Sequence, residues 1–271
     1  MNELGQVVNL EGLLRSVPDR PGAMWARGTL PSGPGVAIVG TRRCTAYGRA
    51  VATALGRAVA ASGRLVVSGL ARGIDAAAHR GTVEVAGIGY AVLGSGIDVL
   101  YPPENRELAD RLICAGGGLL SEYPPGTPPA AFRFPARNRI IAGLSAAVVV
   151  VEAPVAGGAL ITARLALEQG KEVLAVPGDI DRPTSMGCNL LIRDGAHPVL
   201  SPSDLLETLE FLMGPAPRGG SGTAGLPETA TLDDILAGSE RPPGEILADL
   251  ARAELAGKGT LERGQFSRRP G

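Results

Sequence analysis

Val36-Ala37-Ile38-Val39-Gly40-Thr41-Arg42-Arg43 is the stretch that decides the fold. Its apolar, β-branched start reads as a buried strand, and Gly40 ends it shortly before an Ala-rich segment, Ala46 to Ala61, whose apolar residues fall at helical spacing. The same unit recurs along the chain. Further strands are predicted at Leu65 to Val67, Tyr90 to Leu93, Gly118 to Leu120, Ala147 to Val151, Glu172 to Val176 and His197 to Leu200. Further helices are predicted at Ile74 to Val85, Arg106 to Ala115, Gly158 to Gln169 and Ser203 to Phe211. Parallel neighbours need crossovers of helix length, and those crossovers cover both faces of the sheet. The expectation is therefore an α/β protein with a mostly parallel sheet and with ligands at the strands' carboxyl ends.

On the amino side, residues 1–35 carry Trp25 and four prolines, Pro18, Pro21, Pro31 and Pro34, and read as a lead-in packing on the sheet edge. The main domain is placed at 36–212, followed by a Gly-, Pro- and Ser-rich linker at 213–226. Residues 227–271 then form a small domain. Thr231 caps a short helix through Ala237, Pro243 opens a second through Ala256, and Lys258 to Arg269 reads as an extended ribbon, an order that suggests a winged helix. A chain of 271 residues suits one full domain with such an appendage.

Composition narrows the function. Aromatic residues are only 3% of the chain, so the core has to be built from Val, Leu, Ile and Ala, and each aromatic is informative. Cys44, Cys114 and Cys188 lie far apart without CxxC spacing, and with His79 and His197 as the two histidines no structural zinc site is expected. No apolar run approaches the ~20 residues needed to span a bilayer and no leader opens the chain, so a cytoplasmic protein without membrane contact is expected. The net charge of −1 hides an asymmetry: from Thr41 to Arg80 seven arginines face the single acid Asp75, whereas from Ser201 to Glu240 seven acids face Arg218 alone. A polyanion partner is compatible with that local basic surface.

Three glycine-bearing turns fall at the same predicted sheet edge: Gly40-Thr41-Arg42-Arg43, Ser68-Gly69 through Arg72 to Asp75, and Gly94-Ser95-Gly96. Glycine lets backbone approach a ligand, a following helix offers free N–H groups, and Arg42 supplies a forked donor for phosphate oxygens. The turns together predict a phosphate-binding groove. They do not form a GxGxxG fingerprint, and Asp75 lies in the wrong context for a ribose-binding acid, so no nicotinamide cofactor is expected. Asp75 serves equally as a turn or helix cap.

Phe132-Arg133-Phe134-Pro135-Ala136-Arg137-Asn138-Arg139 holds two of the four Phe residues beside three arginines. A ring for base stacking beside guanidinium groups for the backbone is the combination that binds single-stranded nucleic acid. Phe134 is the expected stacker, and Arg139 is expected to be an ion pair with an acid such as Glu152. The Gly157-to-Thr162 turn offers further helix amides, with Thr162 as a possible phosphate ligand. Ser68, Ser95 and Ser121 have no histidine at a suggestive spacing, so binding rather than turnover is expected.

These motifs, taken in order, resemble the DNA-processing protein A (DprA/Smf) family. The resemblance rests on Val39 to Arg42, Ser68 to Asp75 with His79, Val92 to Asp98 with Tyr101, Pro102 and Asn105, Ser121 to Pro124, and Phe134 to Ser145. It continues through Glu152, Gly158 to Thr162, Pro177-Gly178, Gly187 and Asn189, covers about Pro18 to Leu209, and extends more loosely over Leu232 to Arg269. It implies an extended Rossmann-like fold that binds single-stranded DNA without sequence preference, protects it, and assists loading of the RecA recombinase in natural transformation, as a homodimer and without catalysis. The residues implied for DNA are Arg42, Arg43, Ser68, Arg72, Gly94, Ser95, Gly96, Phe134, Arg137, Asn138 and Arg139, with Gly40, Asp75, Glu152 and Thr162 structural. Many members carry a helical domain ahead of the Rossmann-like part, for which this chain is expected to be too short at its amino end. Two alternatives use the same groove: a nucleotide sensor, and a nucleotide-cleaving enzyme of the lysine-decarboxylase-like type. The enzyme's Pro-Gly-Gly-x-Gly-Thr-x-x-Glu loop is not matched by Gly157 to Thr162, which lacks the glutamate.

Overall fold

The computed structural model describes residues 5–216 and, beyond them, 229–231, 259–262 and 265–268. Two strands open the chain, β1 (Gln6–Val8) and β2 (Met24–Gly28). Then come β3 (Gly35–Val39), α1 (Ala46–Ala61), β4 (Val66–Ser68), α2 (Ile74–Glu84), β5 (Gly89–Leu93), α3 (Arg106–Cys114) and β6 (Gly118–Ser121). The second half runs through α4 (Arg133–Gly143), β7 (Ser145–Val150), α5 (Gly158–Glu168), β8 (Glu172–Ala175), α6 (Pro183–Arg193), β9 (His197–Pro198) and α7 (Pro202–Met213).

The first nine strands form one sheet in the order β1-β2-β6-β5-β4-β3-β7-β8-β9. From β6 to β9 every neighbour is parallel, while β2 joins β6 antiparallel and β1 joins β2 antiparallel. The fold is thus the expected Rossmann-like α/β sheet. The lead-in does lie at the sheet edge, but as two strands rather than as irregular chain. Strand order reverses between β3 and β7, which run side by side from Val36 opposite Ala147 to Val39 opposite Val150. Crossovers leave those two strands in opposite directions, so a crevice opens beyond their carboxyl ends.

Period-2 alternation fills both faces. Val36 and Ile38 of β3 with Ala147 and Val149 of β7 pack under α1, α2 and α7, where Leu55, Val59, Ile74, Leu205 and Leu209 close the layer. Ala37, Val39, Val148 and Val150 face the other way, against Ile140 and Ile141 of α4, Ala159 and Ala163 of α5 and Cys188 of α6. Truncating a fully buried leucine such as Leu55 to alanine should cost about 2–5 kcal/mol. Helices α1 and α2 pack backbone to backbone: a Cβ on Gly56 would overlap the Ala78 carbonyl, and one on Gly81 the Thr53 carbonyl.

Two helices depart from the sequence expectation. Helix α4 holds the Arg-rich aromatic segment, whose Pro135 and interspersed arginines mask its periodicity. Helix α6 opens on Pro183 in its first turn and covers Gly187-Cys188-Asn189, where no helix is predicted.

Contacts divide the chain into two units, 1–217 and 218–271. In the second, β10 (Thr229–Thr231), β11 (Gly259–Glu262) and β12 (Gln265–Arg268) form an antiparallel sheet in the order β10-β12-β11. The expected ribbon is the β11–β12 pair. The two helices expected at 231–237 and 243–256 lie outside the described residues, apart from Thr231, which ends β10.

Candidate nucleic-acid interface

The crevice at the reversal is a cavity of about 670 Å³. Its walls are the β3–α1 turn (Gly40 to Arg43), Ala71 ahead of α2, Asp75 in its first turn, Tyr101, the front of α4 (Phe134, Arg137, Asn138) and the start of α5 (Gly157 to Thr162). Of the residues expected from sequence, Gly40, Arg42, Arg43, Asp75, Phe134, Arg137, Asn138 and Thr162 meet here.

Phe134 stands at the front of α4 with its ring against Gly94, where a Cβ would come within 2.9 Å of the ring. That contact, rather than approach to a ligand, accounts for glycine at 94. The Arg42 guanidinium lies over the Phe134 ring, 4.6 Å from its centroid, and the Tyr101 ring adjoins it at 5.6 Å with a tilt of 36°. Arg42 and Arg43 are exposed, so the basic lip of the cavity is open to solvent.

Arg137 behaves differently from Arg42. It is 4% exposed, and its Nη1 donates to the main-chain carbonyls of Gly69, at 2.8 Å, and Val92, while Nε donates to the Asn138 side chain at 3.0 Å. The space that a Cβ would fill at Gly69 is taken by this guanidinium. Burial lowers its pKa to about 10, which leaves it charged at neutral pH. Beside it, burial raises the pKa of Asp75, against the opposing charge of Arg137 and a hydrogen bond accepted from the Gly69 N–H at 3.1 Å. Arg137 is thus a charged strut from α4 to the β4 and β5 turns, with little surface left for a ligand. His79 is buried in the same region, neutral, with both ring nitrogens unpartnered among the described residues and its pKa lowered to about 3 by burial and then by Arg137.

The expected phosphate cradle at the start of α1 is already filled. Glu152, at the end of β7, accepts from the Thr45 N–H at 2.9 Å and from Thr45 Oγ1 at 2.6 Å, and Thr45 Oγ1 in turn caps the Gly48 N–H at 3.0 Å. An internal carboxylate sits where an anion would otherwise bind. Glu152 is therefore occupied by Thr45, and Arg139 pairs instead with Glu122, at 2.5 Å, because α4 points Arg139 to the β6 end of the sheet.

Four other expected ligands do not reach the cavity. Ser68 and Ser95 are buried and donate to the carbonyls of Ile38, at 2.7 Å, and Val99, at 2.6 Å. Gly96 is buried beneath Pro124 and Thr127. Arg72 is exposed but paired with Glu104. Thr162 lines the cavity with its hydroxyl 3.5 Å from the Gly158 carbonyl. Among the described residues, no cluster of metal-binding side chains is present and no helix is long and apolar enough to cross a membrane. Sequence reasoning gave no role to Tyr101 and did not single out Glu104. The scarcity of aromatics was the available signal for Tyr101.

The family model described as DNA recombination-mediator protein A matches residues 9–210. Protein Smf of Escherichia coli is 44% identical over 200 residues, 73% of this chain and 54% of that protein. DNA processing protein DprA of Streptococcus pneumoniae is 43% identical over 200 residues, 73% of this chain and 70% of that one. The matched stretch thus spans about half the length of the Escherichia coli relative. Among solved structures, DNA processing protein A from Streptococcus pneumoniae aligns with a TM-score of 0.69 and 39% identity, over 75% of this chain and 74% of that one. DNA processing protein A from Helicobacter pylori, described for its single-stranded DNA binding mode, aligns with a TM-score of 0.68 and 27% identity, over 77% of this chain and 98% of that one.

Proposed function

The chain belongs to the DNA recombination-mediator protein A family, and from that membership and the geometry of its cleft we propose that it binds single-stranded DNA and serves DNA processing in recombination and transformation. The observation that carries the reading is Phe134 at the mouth of the strand-end crevice with Arg42 against it: one ring for a base, one cation for the backbone. The Helicobacter pylori relative is described as binding single-stranded DNA, and the likeness of fold supports the same ligand here.

Arg42, Arg43, Phe134 and Asn138 form the DNA contact, and Arg137, Asp75 and Glu152 hold their supports in place. The protein acts by binding and not by turnover. Ser68, Ser95 and Ser121 each donate to a main-chain carbonyl, and His79 is buried without a partner among the described residues, so none of them is set up as a nucleophile with its base. Its partners are single-stranded DNA, the RecA recombinase, for which it assists loading, and a second copy of the chain paired through the Rossmann-like unit. It works in the cytoplasm.

Fluorescence-anisotropy titration with labelled single- and double-stranded oligonucleotides of equal length, at two salt concentrations, tests this. Tight, salt-sensitive binding that prefers single strands and falls in Phe134→Ala is the expected result, and RecA loading is then the next assay. Equal affinity for both DNA forms would overturn the reading and send the cavity to a nucleotide screen.

A further inference from the structure

We propose that Tyr101 is a second base-stacking residue beside Phe134, so that two successive bases of a single strand rest on two adjacent rings. This rests on the reading of the cleft as a single-stranded DNA site. Tyr101 follows β5 and precedes α3, far in sequence from Phe134, yet both rings line the same cavity and Tyr101 keeps 37% of its surface exposed. The two rings, together with Arg42, also border a smaller pocket shared with Arg72 and Pro102. The aromatic surface therefore continues from the main cavity toward the Arg72 side instead of ending at Phe134.

The geometry sets what can lie on it. Bases of a duplex are stacked parallel at about 3.4 Å along each strand and offer only their edges to a protein in the grooves. The Tyr101 and Phe134 centroids are 5.6 Å apart and their planes differ by 36°. Two bases each lying flat on one of these rings are neither parallel nor at stacking distance from each other. Successive nucleotides fit both rings only after leaving their mutual stack, which a single strand does readily and a paired duplex does not. The pair of rings thus supplies a preference for single strands that either ring alone supplies less well.

Tyr101 also packs on Phe134, so its loss could act through Phe134 alone; the variants are chosen to separate the two roles. Anisotropy titrations of the full chain with labelled oligothymidylate and with a duplex of equal length compare wild type with Phe134→Ala, Tyr101→Ala, Tyr101→Leu and Tyr101→Phe. Expected are about tenfold weaker single-strand binding in Tyr101→Ala and Tyr101→Leu, rescue by Tyr101→Phe, and little change with the duplex. Wild-type affinity in Tyr101→Leu would overturn the proposal, since an apolar side chain without a π face would then suffice. Weak binding in Tyr101→Phe would overturn it as well, by moving the effect to the hydroxyl. If wild type shows no single-strand preference, or Phe134→Ala binds normally, the reading of the cleft itself fails, which is a distinguishable result. Where Tyr101→Ala does not fold, photocrosslinking of the wild-type protein to 5-iodouracil oligonucleotides decides. Adducts on peptides containing Tyr101 and Phe134 support the two-ring platform, and adducts on Phe134 alone overturn it.

Discussion

The guanidinium of Arg42 lies 4.6 Å from the centroid of the Phe134 ring. The cation proposed for the DNA backbone and the ring proposed for a base are partners of each other. Such a cation–π contact at an exposed site is worth about 0.5–1 kcal/mol, small enough for a nucleotide to displace. Binding then exchanges one pairing for two.

Arg42→Ala should flatten the dependence of log affinity on log salt by about 0.7 for the one phosphate it neutralises. Phe134→Ala should leave that slope nearly unchanged and weaken binding by about 1–3 kcal/mol at every salt concentration. Titrations at four or more salt concentrations measure both; equal slopes for wild type and Arg42→Ala would remove Arg42 from the contact.

Glu104 pairs with Arg72, and the hydrogen bond from Arg72, with its charge, keeps the Glu104 carboxyl below its usual pKa. Glu104→Gln should release a cation beside Tyr101, raise single-strand affinity and steepen the salt slope. Stability should change little, because an exposed pair of this kind is screened by solvent and contributes little to folding. An unchanged slope would show that Arg72 lies off the DNA path.

Arg137→Met should destabilise the fold by about 3–5 kcal/mol, since it strips the charge facing buried Asp75 and the donor to the Gly69 and Val92 carbonyls. Adding Asp75→Asn should restore part of the loss. Urea denaturation of the two variants measures this, and a single-variant loss under about 1 kcal/mol would contradict the strut role.

His79 titrates at about 3 in the fold against about 6.5 in an unfolded chain, so between those values the unfolded state binds more protons. Its contribution is complete above pH ~6.5 and is lost as pH falls toward 3. Asp75, with its raised pKa, acts with the opposite sign: it makes the fold less stable as pH rises from the unfolded carboxyl value through its own. Comparing wild type with His79→Leu isolates the histidine. The stability difference between them should be flat above pH ~6.5 and should move in favour of the variant below it; a difference independent of pH would refute the buried neutral imidazole.

The central strands and five of the helices were legible because apolar periodicity is a local signal. Helix α4 was not, since Pro135 and its three arginines break the apolar periodicity. At the site, Phe134 and Arg42 could be found from sequence because aromatics are scarce and Arg42 follows a strand-ending glycine. The fates of Arg137 and Glu152 could not. A guanidinium is a ligand or a strut according to the carbonyls around it, and those of Gly69 and Val92 lie 68 and 45 residues away. Glu152 likewise meets Thr45 across 107 residues.

Backbone-to-backbone packing of α1 on α2, at Gly56 against Ala78 and Gly81 against Thr53, holds the two helices in direct main-chain contact with no room there for an added side chain. The turns bearing Arg42 and Arg72 are therefore mounted on one stiff block. With the Arg137 strut joining α4 to the Gly69 carbonyl after β4 and the Val92 carbonyl of β5, the walls of the cleft are preorganised, and the conformational entropy of complex formation falls on the flexible polymer rather than on the protein. Affinity should then respond to how stiff the ligand is: a poly(dT) segment, with little stacking to undo, should bind ahead of a self-stacked poly(dA) segment of the same charge.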